Sequence, residues 1–274
     1  FNFYKAHCLC LDDYRVGRVL FVGDAAHLVP IFGVRGLNSG FADANNLGWK
    51  LACVLKGRAA SGLLDSYSSE RREDTKETFR QAGKSTAFMT PPSRGCRLLR
   101  DAVLSLSLSE SFARGLINPR QSAPFAYLES PLNSGEVDAV FEQGPRTGAP
   151  LQNVRICSGG QSERGTFLLD HLGVGFTLLY FTEEGPLPED IAHTVHSMRR
   201  SQAPLDHLVI SRRSANNKAV GWLADPEGRV FEKYGASHGT GYLVRPDAHV
   251  AARWMRVSGK GVQAALARIV RTTD

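Results

Sequence analysis

The sequence predicts an α/β protein built from two units, and three observations lead to that class. Residues 19–22 form a short apolar, β-rich run that is followed by a glycine-punctuated loop and a helical pattern. Residues 118–150 are rich in Pro, Gly, Ser and Asn and have no sustained period, which is typical of a linker or a wrapped surface segment. Beyond them, strand and helix patterns alternate. The predicted domains are therefore 1–117 and 151–274, joined by 118–150.

The first unit begins with the strand 19–22, which is long enough to be buried, is too short for a helix, and ends at Gly23. A helix follows, with Asn38 or Ser39 as its N-terminal cap and Gly57 as its stop. Apolar or small residues recur along this helix in steps of three and four, and they predict one apolar, buried face: Leu37, Phe41, Ala44, Leu47, Leu51 and Val54.

Two more helices follow in the first unit. One begins at Ser61 and continues into the charged segment SSERREDTKETFRQ, which we interpret as a solvated face. The other covers about 96–112, with apolar residues at helical spacing. Both are interpreted as packing helices.

The second unit contains a βαβ pattern, a hairpin and a closing helix. The predicted elements are the strands 153–157, 175–181 and 205–211, a helix over 188–200, two strands around the turn at 225–228, two strands across 245–247, and a helix over 259–271. This order of elements is that of a thioredoxin-like fold.

The composition excludes several classes of function. Five cysteines, an odd number without a C-x-x-C pair, argue against a disulfide framework and a zinc site. The formal charge of +6 is spread among acidic residues, so we expect no nucleic-acid partner. No apolar run is long enough for a membrane span and no signal peptide is evident, so we expect a cytoplasmic protein without a membrane partner. Because residue 1 is Phe within strand-like sequence, we also expect a piece of a longer protein.

The loop after the first strand carries the chemistry. Asp24 at the strand end can accept hydrogen bonds from sugar or polyol hydroxyls in a ligand crevice. Gly33 and Gly36 allow backbone conformations and clearances that a side chain would forbid. The helix that starts near Leu37 directs its N–H groups and positive dipole end at the loop. These features predict a site for an electron-rich ligand.

An ordered set of motifs resembles a known family. The motifs are GDAAH at 23–27, Pro30, GLNSG at 36–40, DANNL at 43–47, WKL at 49–51, LDSY at 64–67 and Glu70-Arg71. They resemble the second flavin-binding motif of the FAD-dependent aromatic hydroxylases, which are single-component flavoprotein monooxygenases related to p-hydroxybenzoate and phenol hydroxylases. The second unit resembles the C-terminal thioredoxin-like domain of the phenol hydroxylase branch, through DPEG at 225–228, KYG at 233–235 and YLVRPD at 242–247.

The resemblance implies a fold and a reaction. Residues 1–117 would be the C-terminal part of an FAD-binding, p-hydroxybenzoate hydroxylase-like domain, followed by a thioredoxin-like domain. The reaction would be hydroxylation of a phenolic or other aromatic substrate with NAD(P)H and O2, through a flavin C4a-hydroperoxide. A homodimer is a family-level expectation.

The resemblance also implies roles for residues of the loop. Asp24 would bind the ribityl or pyrophosphate part of FAD, and the backbone at Gly36, Leu37 and Asn38 would meet the pyrimidine edge of the flavin ring. Pro30 would lie beside the ring near the substrate, as the candidate catalytic position. The implied cofactor-binding residues are Gly23, Asp24, Pro30, Gly33, Gly36, Leu37 and Asn38, and no metal ligand is implied.

The sequence departs from the family pattern in three places. Ile31 and Val34-Arg35 stand where the family has a second proline and a Gly-Gln pair. Residues 182–187 lack the redox cysteine pair of an active thioredoxin, so we expect a redox-inactive second domain. The G-x-G-x-x-G fingerprint for the ADP half of FAD is missing, and its nearest match, 259–264, falls at the last helix.

Other interpretations stay open beside the leading one. The chain could be a truncated, non-catalytic flavin-binding or assembly module, whereas a thiol enzyme is disfavoured by the missing cysteine pair. His27 could act in acid–base chemistry, although a hydrogen-bonded loop histidine is the commoner case. Arg35 could pair with a substrate carboxylate or a flavin phosphate, or be exposed. The pair Cys8 and Cys10 could suggest metal ligands, and we interpret it as packing residues. The pair His193 and His196 could also suggest metal ligands, and we interpret it as surface residues.

Overall fold

The computed structural model describes residues 7–30, 35–117, 124–134, 141–156, 166–199, 204–213 and 221–270. The chain forms two compact units. Unit 1 consists of Phe1–Leu47 and Tyr67–Pro124, and unit 2 of Gly48–Ser66 and Phe125–Asp274. Helices and sheets are mixed along the chain, which confirms the predicted α/β class.

The described residues in the first half of the chain form four short strands and four α-helices. They are β1 (Leu9–Cys10), β2 (Arg15–Val16), β3 (Val19–Leu20), β4 (His27–Leu28), α1 (Gly36–Leu55), α2 (Asp65–Met89), α3 (Arg94–Leu106) and α4 (Ser111–Ile117). Strand β1 pairs antiparallel with β4, and β2 with β3. Single turns of 3-10 helix precede β4 at Gly23–Ala25 and α2 at Ser61–Leu64.

The predicted buried strand 19–22 is wrong in length and in burial. Strand β3 ends at Leu20 and forms only a two-stranded ribbon with β2 among the described residues. Val19 and Val22 are exposed. The chain leaves the ribbon because Gly23 has a left-handed φ of 59° and starts a 3-10 turn, so Asp24 lies in that turn and not at a strand end.

Helix α1 has the predicted extent and a different buried face. It begins at Gly36, before both predicted caps, and it ends at Leu55, two residues before Gly57, whose φ is 65°. Leu37 and Phe41 of the predicted apolar face are 70% and 65% exposed. The buried positions are mainly polar instead: Ser39, Asp43, Asn46, Leu47 and Lys50. Helix α2 also buries polar residues. Glu70, Arg71 and Thr75 of its charged stretch are buried, so this stretch is not a fully solvated face.

The helix predicted over 96–112 is two helices. Helix α3 ends at Leu106 and α4 begins at Ser111, with a turn between them. Ser93 caps α3, because its side chain accepts a hydrogen bond from the Cys96 N–H. Val103 is the buried residue of α3 and Ala113 that of α4. The interpretation of this segment as a packing helix therefore fails for most of its apolar residues, which are exposed.

Unit 2 is organised around a five-stranded sheet. Its elements are β5 (Arg155–Ile156), β6 (Thr166–Phe167), β7 (Phe176–Thr182), α5 (Glu189–Arg199), β8 (Leu205–Ser211), β9 (Trp222–Ala224), α6 (Arg229–Tyr234), β10 (Gly241–Val244), β11 (Val250–Trp254) and α7 (Gly259–Val270). The strand order is β11-β10-β7-β8-β9, in which β7, β8 and β9 are parallel and β10 is antiparallel to both of its neighbours. Alternate residues of strand β7 point to opposite faces of the sheet and belong to two separate apolar clusters. Both faces of the sheet are therefore covered.

One predicted hairpin of unit 2 is a strand followed by a helix. The residues after the turn at 225–228 form α6 and not a strand. Asp225 accepts hydrogen bonds from the N–H groups of Val230 and Phe231, at 2.8 and 3.0 Å, and this capping stabilises the first turn of a helix. The other predicted elements, including the hairpin across 245–247, agree with the structure to within about two residues wherever they are described.

The described residues of the predicted linker 118–150 bond to strand β11 of unit 2. The Gly148 N–H donates to the Val250 carbonyl at 2.7 Å and the Ser134 N–H to the Ala251 carbonyl at 2.9 Å. Tyr127 and Leu132 are buried. Of the two interpretations of this stretch, the wrapped segment fits these residues.

No helix in the described parts of the chain combines the length and apolar character needed to cross a membrane.

Candidate functional site

A buried carboxylate, Asp43 of α1, holds the loop that the sequence singles out. Its Oδ2 accepts hydrogen bonds from the Gly23 N–H at 2.9 Å and from His27 Nε2 at 2.7 Å. Its Oδ1 accepts from Arg71 Nε of α2 at 2.6 Å. Asp43, His27 and Arg71 have almost fully buried side chains. One side chain therefore ties the loop to two helices.

The backbone of the loop also lies directly against α1. A Cβ atom placed on Gly23 would stand 3.9 Å from the Cα of Gly40, and one placed on Gly40 would stand 3.7 Å from the Cα of Gly23. The left-handed φ of Gly23 disfavours any other residue at that position. The turn that carries Asp24 is therefore held close to the first two turns of α1.

Arg71 and Tyr14 extend this polar core through unit 1. Arg71 also forms an ion pair with Asp74, and its Nη2 donates to the Ser39 carbonyl at 3.3 Å. The Tyr14 N–H donates to Ser68 Oγ at 2.9 Å, and its hydroxyl donates to Thr75 Oγ1 at 2.8 Å. Burial raises the pKa of Tyr14 well above its usual range, so the hydroxyl stays protonated and able to donate.

The environment of Asp43 keeps it ionised. Burial alone would raise the pKa of this carboxyl, but the hydrogen bond from His27, the charge of Arg71, and the hydrogen bonds from Arg71 and Gly23 outweigh it. The net pKa shift of Asp43 is downward. The carboxylate is thus a fixed negative charge matched by Arg71.

The lowered pKa of Asp43 predicts an acid-sensitive unit 1. A carboxyl group with a folded-state pKa below its unfolded value stabilises the fold above the unfolded pKa of about 3.9 and loses that contribution as pH falls through the folded pKa. We expect amide hydrogen exchange in α2, corrected for its intrinsic rate, to accelerate as pH falls below about 4. Asp43→Asn should flatten this dependence, and an unchanged profile in that variant would assign the acid sensitivity to other groups.

The structure places the predicted cofactor-binding residues around this loop and the start of α1. Asp24 is exposed in the 3-10 turn, and Pro30 is buried just after β4. Gly36, Leu37 and Asn38 form the first turn of α1, where Leu37 and Asn38 are exposed. Gly33, Ile31 and Val34 lie outside the described residues.

His27 and Arg35 are both buried beside the loop. His27 is hydrogen-bonded as expected for a structural loop histidine, and its Nδ1 is buried without a hydrogen-bond partner among the described residues. Arg35 is 8% exposed, so the interpretation of it as an exposed arginine is wrong. Burial lowers the pKa of Arg35, and the charge of Asp74 partly opposes that shift.

Two pairs of candidate metal ligands remain. Cys8 is exposed, so its interpretation as a packing residue is wrong, whereas Cys10 is half-buried with its Sγ 3.2 Å from the Tyr14 hydroxyl. His193 and His196 are exposed on α5, as predicted. The described residues contain no group of three or more His, Cys, Asp or Glu that could hold a metal ion.

Gly259 of the fingerprint-like run 259–264 has a packing role. A Cβ atom there would stand 2.6 Å from the Asp190 carbonyl oxygen and would also collide with Thr194 Oγ1. Only glycine therefore lets α7 pack this closely on α5.

Asp43 and Arg71 lie within the motifs that resemble the flavoprotein family, but the sequence alone indicates no role for them. The available signal was the repeat of polar residues at 39, 43 and 46, which are helical steps of four and three on one face of α1. Asn46 on this face donates to Glu70 Oε2 at 2.7 Å. A polar face of this kind indicates a buried hydrogen-bond network when a second helix supplies the partners.

The segment that carries this loop is similar to a known protein family. Residues 2–82, which contain the loop, α1 and most of α2, match the protein family described as "FAD binding domain". The 3-(3-hydroxy-phenyl)propionate/3-hydroxycinnamic acid hydroxylase of Escherichia coli strain K12 is 28% identical over 254 residues, which are 91% of this chain and 45% of that enzyme. The chain thus spans less than half the length of this curated relative.

Solved structures match almost the whole chain. The match to the flavin-dependent monooxygenase PieE, solved with FAD and substrate, covers 98% of this chain and 50% of the PieE chain. Its TM-score is 0.72 and the sequence identity is 25%. The match to aklavinone-11 hydroxylase, solved with FAD and aklavinone, covers 95% of this chain and 45% of the hydroxylase chain. Its TM-score is 0.72 and the sequence identity is 26%. The fold is therefore the α/β fold of FAD-dependent monooxygenase structures.

Proposed function

We propose that this chain forms the flavin-ring side of the FAD site in a monooxygenase that hydroxylates a phenolic or other aromatic compound. The observation that carries the proposal is the loop at 23–28, held by buried Asp43 against α1 within the segment that matches an FAD-binding family. The similarity to hydroxylases and to structures that contain FAD supports the cofactor and the reaction type.

The described residues fit a flavin. The exposed carboxylate of Asp24 can accept hydrogen bonds from the ribityl hydroxyls or from a sugar. The first helical hydrogen bond of α1 runs from the Ser39 N–H to the Arg35 carbonyl, so the N–H groups of Gly36 and Leu37 precede the helical ladder. Together with Asn38, they present the positive end of a 20-residue helix, which stabilises negative charge on the pyrimidine edge of a reduced flavin.

The chemistry of the reaction belongs to the cofactor. When bound and reduced by NAD(P)H, FAD supplies the activation of O2 and the transfer of one oxygen atom to the aromatic ring. This chain would orient the flavin through Gly23, Asp24 and the first turn of α1. Pro30 would lie beside the ring near the substrate, where its fixed φ gives a rigid backbone.

Unit 2 is proposed to be a thioredoxin-like domain without redox activity. The order β11-β10-β7-β8, with α5 between the parallel strands β7 and β8, supports this topology. At the carboxyl end of β7, Thr182 Oγ1 donates to the Glu184 carbonyl at 2.8 Å. A hydroxyl and glutamates thus occupy the position where a redox cysteine pair would be expected.

Asp24→Ala tests the flavin contact. We expect the variant to keep its fold, because an exposed side chain is removed, and to lose about tenfold in FAD affinity, as for a lost hydrogen bond to a charged group. The measurement is the visible flavin absorption retained after incubation with FAD and desalting. Asp12→Ala, at another exposed aspartate of unit 1, is the matched control. Equal retention by both variants would contradict the assigned role of Asp24.

The reaction itself is tested with labelled oxygen. The FAD-loaded chain is incubated with NADH or NADPH, 18O2 and a panel of phenolic acids, and the products are analysed by mass spectrometry. One labelled oxygen atom per product supports the hydroxylase.

A second candidate is a flavin-binding or assembly module without hydroxylation. Retained FAD without a labelled product would support this module and contradict catalysis by the chain alone.

A further inference from the structure

A polar cavity of about 440 Å³ lies beside α6 in unit 2. This volume is within the range of small-molecule sites, roughly 300–1,000 Å³. The described residues that line the cavity are one glycine and five residues with polar side chains, which favours a small polar ligand. They are Gln143, Gly144, Gln152, Arg229, Glu232 and Lys233.

The walls of this cavity are fixed by contacts within unit 2. Arg253 Nη1 donates hydrogen bonds to the three carbonyl oxygens of 143–145, at distances of 3.2–3.4 Å. Gly144 has a left-handed φ of 87°, and a Cβ atom there would stand 2.3 Å from the Tyr234 carbonyl oxygen of α6. The Tyr234 hydroxyl donates to the Gln152 carbonyl at 2.8 Å. Both wall segments are therefore held against α6, and the cavity is preformed.

Helix α6 contributes two opposite charges to the cavity. Glu232 and Lys233 are consecutive, and consecutive residues of a helix do not face each other, so the two charges do not neutralise one another. Neither side chain forms an ion pair with another described residue, whereas Arg229 pairs with Glu227. The cavity therefore offers one cation and one anion to a ligand.

A zwitterion matches these two charges. Its carboxylate would accept from Lys233 and its ammonium would donate to Glu232, in charge-assisted hydrogen bonds. Gln152 supplies a third contact, because its Oε1 is buried without a hydrogen-bond partner among the described residues. A buried acceptor without a donor is unfavourable, and an ammonium group carries three donors, one of which the amide oxygen accepts once the side chain turns toward the cavity. A simple anion would leave Glu232 and this oxygen unmatched.

We propose that this cavity binds a free α-amino acid with a polar side chain, whose carboxylate contacts Lys233 and whose ammonium contacts Glu232 and Gln152. The polar side chain follows from the lining, since Gln143 presents a further amide. Because Glu232 and Lys233 are exposed, solvent screens their charges, and we expect a dissociation constant on the order of 1 mM. The proposal does not depend on the proposed flavin function, since all the lining residues belong to unit 2.

Titration of the 15N-labelled full chain with L-glutamine, followed by NMR of the side-chain amides without FAD, tests the proposal. We expect the amide signals of Gln143 and Gln152 to shift and to saturate. N-acetyl-L-glutamine lacks the ammonium charge and L-glutaminamide lacks the carboxylate, so each should bind about tenfold more weakly. No shift at any concentration would overturn the proposal. Binding of either analogue, of acetate or of phosphate as tightly as L-glutamine would overturn it as well.

Substitutions in the cavity locate the binding site. Lys233→Gln and Glu232→Gln should each raise the dissociation constant of L-glutamine about tenfold, as for a lost hydrogen bond to a charged group. Lys260→Gln is the matched control, because Lys260 is an exposed lysine of α7 outside the lining, and it should leave the constant unchanged. Unchanged affinity in the two cavity variants would overturn the proposal.

Gln152→Met separates ligand binding from a structural role of this side chain. It removes an acceptor that has no donor, so we expect weaker binding, measured on the Gln143 amide signal, without a lower urea midpoint of unfolding. A lower midpoint with unchanged affinity would assign Gln152 to the fold alone and overturn the proposal.

Discussion

Asp43→Ala is expected to destabilise unit 1 by about 3–5 kcal/mol, the usual cost of removing one partner of a buried ion pair. The substitution removes the negative charge that Asp43 places beside the buried guanidinium of Arg71. It also removes the hydrogen-bond acceptor of the Gly23 N–H and of His27. Since the chain's three tryptophans, Trp49, Trp222 and Trp254, all lie in unit 2, tryptophan fluorescence reports mainly on unit 2. Hydrogen exchange in α2 is the suitable measurement, and it should accelerate by a factor on the order of 100 or more.

Asp74→Ala is the matched control for this prediction. Asp74 also pairs with Arg71, three residues away on α2, but its side chain is partly exposed. We expect a cost within about 1 kcal/mol, as for partly solvated ion pairs. Equal effects of the two substitutions would show that Asp43 has no special role in holding the loop.

Asp247→Asn is expected to destabilise unit 2 by a similar amount, about 3–5 kcal/mol. Asp247 accepts two hydrogen bonds from Arg245, at 3.0 and 2.6 Å, and one from Trp49 Nε1 at 3.1 Å. Both charged side chains are fully buried. Arg245 and its neighbours lower the pKa of Asp247 far below its usual range, although burial alone would raise it. The neutral amide leaves a buried cation without its counter-charge, and urea unfolding followed by tryptophan fluorescence measures the loss.

The double variant Arg245→Met with Asp247→Leu distinguishes charge from packing. It removes both ions and supplies apolar side chains, so we expect it to recover much of the stability lost in Asp247→Asn. A double variant that is no more stable than the single one would mean that the hydrogen-bond geometry, and not the uncompensated charge, sets the cost.

The sequence was most informative where burial follows apolar periodicity. Strands β7 and β8 and helices α5 and α7 pack into apolar clusters, and their predicted limits agree with the structure to about one residue. Helix α1 was predicted in extent but not in orientation, because its buried face is polar. The partners of Asp43 come from positions 20 residues before and 28 residues after it, which periodicity within one helix cannot reveal.

Turns and exposed faces were harder to predict for different reasons. The DPEG segment at 225–228 fits a hairpin turn as well as a helix start. The hydrogen bonds that Asp225 accepts from the N–H groups of Val230 and Phe231 select the helix. On α3, an apolar pattern indicates that a face should be covered, but it does not identify the covering molecule. Gly23 and Asp24 were singled out as the end of a buried strand, whereas the structure places them in a 3-10 turn that begins with the left-handed φ of Gly23.

Hydrogen exchange of the chain with and without FAD tests the central claim most directly. The account predicts that FAD slows exchange in the loop at 23–28 and at the start of α1, and that Asp24→Ala reduces this protection, while the strands of unit 2 are unchanged. FAD binding with protection elsewhere, or no protection at saturating FAD, would contradict the assignment of a flavin site to this loop.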